Sequence, residues 1–286
     1  MLVVFGYIVI LFSVFGGFVL NGGHIAAMLQ PLELLMIGGA AAGSFVVGNS
    51  KKTIIATLKA LPETLKGSRY DKLVYMELMS LLYEVLSKAR KEGLMSLEGD
   101  VERPKESPIF AKYPKVAGDH HAVEFLTDYL RLMVGGNLNA HEIESLMDSE
   151  IDTHHAEGEV PVHVIQRMGD ALPAFGIVAA VMGVVHTMES VGLPPSELGK
   201  LIAHALVGTF LGILLAYGFV GPLAGKLEQR VSESSKRLQC IKATLLASLN
   251  GYSPALAVEF GRKVLFTTER PSFVELEQHL KQHKAH

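Results

Sequence analysis

The stretch ALPAFGIVAAVMGVV, residues 171–185, decides how the rest of the chain is read. No charge appears between Asp170 and Glu189, and a second run, bounded by Lys200 and Lys226, is equally free of charge. At a helical rise of about 1.5 Å per residue, each run is long enough to cross a hydrocarbon core. Each holds a proline, Pro173 and Pro222. Proline removes a backbone donor and bends a helix. A membrane accepts the freed carbonyl only where neighbours or a polar cavity satisfy it. Thr209, Tyr217 and several glycines lie in the same pair of runs. The two helices are therefore expected to line a polar interface rather than face lipid.

Two more apolar runs precede them. Residues 1–20 carry no charge and no basic n-region, so they read as a retained membrane helix rather than a cleaved leader. Residues 32–49 are rich in glycine and alanine, which lets helices approach closely in lipid. Glu33 stands at the edge of that run and is expected to reach the interface. Charges concentrate instead in residues 51–170 and 226–286. Lys51, Lys52, Lys59 and Lys66 follow the second run, Arg167 precedes the third, and Lys226 and Arg230 follow the fourth. The 21–31 connection has no Lys or Arg, and the 189–200 connection has only Lys200. The positive-inside rule then puts both termini and the long central segment in the cytoplasm.

The expected fold is all-α, an integral membrane protein with four transmembrane helices and a helical cytoplasmic domain. Residues 1–50 form a first transmembrane hairpin and 51–170 the cytoplasmic helical domain. Residues 171–225 form a second hairpin lining a partner or ion path, and 226–286 a cytoplasmic helical tail. Within the central segment, apolar spacing predicts a helix over 70–91 and a short one from 94 after Gly93. Pro104, Pro108 and Pro114 mark a connection. An amphipathic helix over 122–133 ends at Gly135-Gly136, and Asn139 caps another that runs through 140–168, with Gly158 and Pro161 the two places where it could break. After the fourth run, Leu227, Val231, Leu238, Ile241 and Leu245 make a helical stripe up to Gly251.

The net charge of −3 gives no reason to expect nucleic acid as a partner. The single cysteine, Cys240, excludes an internal disulfide and reads as a packing residue. There is no phosphate-binding G-x-x-x-x-G-K-[ST], no G-x-S-x-G and no H-E-x-x-H, so nothing suggests an enzyme. The pairs His120-His121 and His154-His155 point about 100° apart on a helix, poor geometry for one metal, and read as solvated loop or cap residues. The spans lack a mid-membrane Asp, Glu, Lys or Arg, whereas a proton relay normally needs such a group. Either the protein moves no ions or a partner helix brings the carboxylate. Pro173, Gly176, Ala180, Gly183 and Thr187 share one helical face. It suits a partner helix and ordinary packing equally well. Arg90, Lys91, Glu92 and Glu98 form a mixed-charge tip, which by itself reads as a solvated helix end.

Taken together, the RKEGLMSLE stretch of residues 90–98, the PAFG of residues 173–176 and the stretch from Thr209 to Pro222 resemble the MotA family of flagellar stator subunits. The resemblance covers essentially the whole chain. It implies a homopentamer around a dimer of MotB, whose single membrane helix supplies the ion-binding aspartate that these spans lack. It implies ion flow across the bacterial inner membrane turned into torque on the rotor protein FliG, with no cofactor and H⁺ as the transported ion. Arg90 and Glu98 match the family's rotor-contacting charges. Pro173 and Pro222 match its coupling prolines, and Thr209 a polar residue on the ion route, with Gly176, Ala180 and Tyr217 beside them. Sodium-driven members carry a threonine where Ala180 stands, which implies proton coupling. An ExbB/TolQ-like energiser is the nearest alternative, disfavoured by the fourth run. A self-contained transporter and a scaffold without ion coupling are the readings of other classes.

Overall fold

The computed structural model describes residues 2–65, 71–136 and 139–284. Lys66 and the last two residues of the expected tail helix lie outside them. Every regular element among the described residues is helical. The first in chain order are α1 (Leu2–Leu11), α2 (Gly17–Leu20), α3 (Ile25–Met28), α4 (Pro31–Val47) and α5 (Lys51–Leu65). Then come α6 (Lys72–Glu92), α7 (Glu98–Glu102), α8 (Pro108–Ala111), α9 (Pro114–Ala117) and α10 (His120–Gly135). The long α11 (Ala140–Glu189) is followed by α12 (Pro195–Ile213), α13 (Gly221–Leu249), α14 (Pro254–Val264) and α15 (Phe273–Lys284). Four stretches are long and apolar enough to cross a membrane: Leu2–Leu20, Ile25–Val47 and windows within Ala140–Glu189 and Pro195–Leu249. The chain folds as two compact units, Met1–Gly67 with Gly158–Gln229, and Ser68–Glu157 with Arg230–His286.

The first unit holds the apolar helices. Its centre is small, with Ile37 and Ala41 of α4 packed against Leu172 and Ala179 of α11 and Val207 and Leu211 of α12. The ladder is not α-helical throughout. A π turn occupies Phe12–Gly16 between α1 and α2, and a second occupies Leu214–Val220 between α12 and α13. In the second, the Gly221 amide reaches back five residues to the Ala216 carbonyl, just before Pro222 removes the next donor. The loosened turn is how a helix continues past that proline.

The second unit is built like a soluble helical domain. Tyr75, Leu78, Leu82 and Leu86 of α6 pack with Phe125, Leu126 and Leu130 of α10, Ile241 and Leu245 of α13, and Val258 of α14. Cys240 is fully buried in this core. Local chemistry sets the helix ends. Asp71 caps α6 by accepting from the Val74 amide at 2.9 Å, and Gly93, at φ +87°, ends that helix. Asp119 caps α10, and Gly136 ends it in the left-handed region. Asn139 and Glu142 bond each other's amides at 2.8 and 3.0 Å, a reciprocal cap for α11. Asp119 also pairs with Arg237 inside the unit, where Arg237 is 3% exposed.

The helix from Asn139 runs through 140–168 as expected, passes Gly158 and Pro161 without a break, and continues to Glu189. Proline costs an interior helix about 3 kcal/mol. Val162, Val164 and Ile165 directly after Pro161 are all buried, and their packing offsets that cost. His120 and His121 are exposed as expected, whereas the second histidine pair differs from the expected solvated residues. His154 and His155 are half-buried, each within 2.9 Å of a hydroxyl on α13, Ser234 and Ser235, and the His154 ring rests 5.5 Å from that of His121. No cluster of three metal-ligating side chains occurs among the described residues.

Candidate functional site

In the first unit α11 and α12 cross in backbone contact. A methyl placed on Gly176 would lie 2.8 Å from the Gly208 carbonyl, 3.1 Å from Gly212 Cα and 3.4 Å from Thr209 Cα. On Gly212 it would lie 2.7 Å from the Leu172 carbonyl, and on Gly183 2.7 Å from the Ala205 side chain. These backbones touch because only glycine leaves room. Gly176 and Gly183 of the shared face therefore meet α12 within this chain.

Gly176, Ala180 and Thr209 come together at this crossing. Gly176 is buried there, while Ala180 and Thr209 keep part of their surface. Pro173 sits three residues before Gly176 inside α11. Pro222 is exposed, directly after the π turn. Tyr217 is 70% exposed, although Ala216 beside it is buried. The outward faces of the pair are apolar and uncovered, with Ile177, Val181 and Val185 on α11 and Ile202, Leu206 and Ile213 on α12.

Two side chains not expected at this site are found in it. Tyr7 of α1 donates its hydroxyl to the Phe219 carbonyl at 3.0 Å, with its ring 4.9 Å from that of Phe219. It thereby satisfies a carbonyl within the π turn. Glu33, at the edge of the second run, is 8% exposed. Its Oε2 lies against Gly208, where a methyl would be 2.8 Å from it, and accepts no hydrogen bond. The reason is the missing side chain at Gly208, which opens a slot on α12 for the carboxylate. An acidic residue two positions after Pro31 carried the only sequence signal, and it pointed equally to a helix N-terminus facing water.

In the second unit, Arg90 ends α6 and Glu98 opens α7, both exposed. A 3₁₀ turn at Leu94–Leu97 joins them, anchored by the fully buried Leu97. Behind it Lys88 pairs with Asp100 at 2.7 Å, and the Ser107 hydroxyl donates to the same carboxylate at 2.6 Å. The base of the tip is thus charge-neutral and fixed, and Arg90 and Glu98 have no ion pair among the described residues.

Comparison with known proteins agrees with this anatomy. Residues 4–93 match the family described as Motility protein A N-terminal, and residues 118–240 match the MotA/TolQ/ExbB proton channel family. Motility protein A of Salmonella typhimurium is 56% identical over 281 residues, covering 98% of this chain and 95% of that protein. The chain belongs to the Motility protein A family. The Escherichia coli K12 member is also 56% identical over 281 residues. The fold is that of two solved assemblies. One is Campylobacter jejuni MotAB, at TM-score 0.79 and 22% identity over 94% of this chain and 98% of that one. The other is the flagellar MotAB stator complex of Bacillus subtilis, at 0.75 and 24% over 98% of each chain. The chain is thus a flagellar stator subunit of the proton channel type, and the motility relatives decide against the ExbB/TolQ-like alternative.

Proposed function

We propose that this Motility protein A works as a homopentamer around a MotB dimer in the bacterial inner membrane, passing protons inward and turning their flow into torque on FliG. The α11–α12 crossing carries the reading. Two backbones in contact, with Thr209 beside them, carry no charged side chain of their own across 171–188 or 201–225. A proton needs an acidic stopping place in the membrane, and the MotB aspartate supplies it. The uncovered apolar faces of α11 and α12 offer surface for neighbouring copies and for that partner helix.

In this reading both termini and the Arg90–Glu98 tip are cytoplasmic. Pro173, Pro222 and the π turn before Pro222 give the pair two places where the backbone ladder yields as protons pass. Gly176, Ala180, Thr209 and Tyr217 border the route. Ala180, lacking a hydroxyl to bind a partly dehydrated Na⁺, fits proton coupling. Arg90 and Glu98 push on FliG through charges screened within about 8–10 Å at cellular ionic strength. Each single loss impairs torque in part, and reversal at Glu98→Lys more severely.

The test is proton uptake by vesicles containing this chain with and without MotB. Uptake only with MotB, lost when its membrane Asp becomes Asn, supports the shared site. Uptake by this chain alone overturns it.

A further inference from the structure

Glu33 is a carboxylate in a membrane segment that sits on Gly208 with no salt bridge among the described residues. It is 8% exposed, and its Oε2 has no hydrogen-bond partner. A buried carboxyl without a donor is costly in its charged form and is the kind of group that takes up and gives back a proton. Its surroundings are specific. The oxygen lies on Gly208, at the edge of the α11–α12 crossing and next in sequence to Thr209. A methyl on Gly208 would also sit 3.1 Å from Ala179 Cβ and 3.2 Å from the Ala180 amide, so carboxylate and crossing share one small space. His204, one helical turn before Gly208 on α12, is exposed. α3 (Ile25–Met28) and the stretch 176–183 of α11 contribute no titratable side chain there. Lys200 and Glu197, farther along α12, pair with each other at 3.0 Å.

We propose that His204 and Glu33 form a two-step proton relay feeding the α11–α12 crossing from the end of the unit where the short 21–30 and 190–194 connections lie. The His204 imidazolium gives its proton to the Glu33 carboxylate and returns to neutral imidazole. The Glu33 carboxylic acid then releases that proton to a carboxylate at the crossing, supplied by the partner helix, and is ionised again. An exposed histidine suits the first position because one ring nitrogen can take up a proton from water while the other passes one on. A buried acid suits the second because it holds a proton where water does not reach. The inference rests on the proton-coupled reading given above.

The experiment is rotation speed of tethered cells carrying this chain with MotB, at fixed proton-motive force and varied external pH. Amounts of this chain retained on MotB serve as the assembly control. Glu33→Gln keeps shape and size but cannot carry a proton. It is expected to slow rotation by about tenfold or more and to flatten the pH dependence, because it removes a proton-transfer group. Glu33→Asp is expected to recover both, and His204→Gln to weaken the pH dependence. Wild-type speed in Glu33→Gln, or slower rotation with an unchanged pH profile, overturns the relay and leaves Glu33 a packing residue. The MotB Asp→Asn variant in the same cells separates the two claims. If it stops rotation while Glu33→Gln does not, the relay alone is wrong. If it leaves rotation intact, the coupling reading itself has failed.

Discussion

Replacing Asp119 by alanine tests whether the second unit is held by its buried ion pair. The carboxylate faces Arg237, 3% exposed, and is itself 8% exposed. Removing one member of a buried pair costs about 3–5 kcal/mol, most of it from the charge left behind. Asp119 also caps α10 through the Ala122 amide, and a lost cap adds about 1 kcal/mol. The Ser234 hydroxyl, 3.4 Å from Arg237, remains, so the lower half of the combined range is the better guide. About 4–5 kcal/mol is a large share of the 5–15 kcal/mol that typically separates folded from unfolded domains. Limited trypsin digestion of the detergent-solubilised MotB complex reads this directly, because cleavage within residues 71–157 follows the population of the opened unit. At about 1.4 kcal/mol per factor of ten, cleavage accelerates by about 10³-fold. Asp119→Asn retains a capping oxygen and loses only the charge term. In combination with Arg237→Met it recovers part of the loss, since both members of the pair are then removed together. Equal protection of wild type and Asp119→Ala, or a double variant whose loss is the sum of the singles, refutes the reasoning.

Two further predictions concern the crossing and the pH response. Gly176→Val places atoms against the Gly208 carbonyl and Gly212 Cα, backbone that cannot step aside. Over-packing of this kind costs about 1–3 kcal/mol. Swimming is expected to fail with membrane levels retained, whereas Gly225→Ala, which meets nothing within 4 Å, leaves swimming unchanged. Burial, reinforced by Glu233, raises the Glu269 carboxyl above its ordinary 4.5. Its contribution to folding is therefore complete below about 4.5 and is lost as pH rises through the higher folded value. Glu269→Gln is expected to make the complex more heat-resistant than wild type at pH 8, with the difference vanishing toward pH 4. A difference that grows on acidification contradicts this.

Much of the architecture is legible because membrane segments announce themselves by what they lack. Charge-free runs longer than a bilayer core leave few alternatives, and among the described residues four helical stretches are long and apolar enough to cross a membrane. Caps were equally readable at Gly93, Gly136 and Asn139, since each solves a local problem of backbone geometry or orphan donors. Tertiary competition was not. Pro161 is a helix breaker by local rules, yet Val162, Val164 and Ile165 find enough burial to carry α11 through it. The π turns at Phe12–Gly16 and Leu214–Val220 have no composition of their own, and only Pro222 hinted that one ladder must loosen.

The site divides along the same line. The small-residue face of Gly176, Ala180 and Gly183 was visible as periodicity, but periodicity could not say whether it met a partner or α12. Glu33 is the sharper case. An acid two residues inside a helix start has good reason to face water, where the first-turn amides favour negative charge. What overrides that preference is a glycine 175 positions later, whose absent side chain leaves room for the carboxylate on α12. Position 33 thus acquires its meaning only from position 208. That makes Gly208→Ala the natural companion of Glu33→Gln. The added methyl, 2.8 Å from Oε2, has to displace the carboxylate from its slot while leaving the acid itself in the chain. If placement rather than mere presence of the acid matters, Gly208→Ala reproduces the flattened pH profile of Glu33→Gln. A profile like that of wild type, with the crossing still assembled on MotB, shows instead that the carboxylate works from wherever it lands.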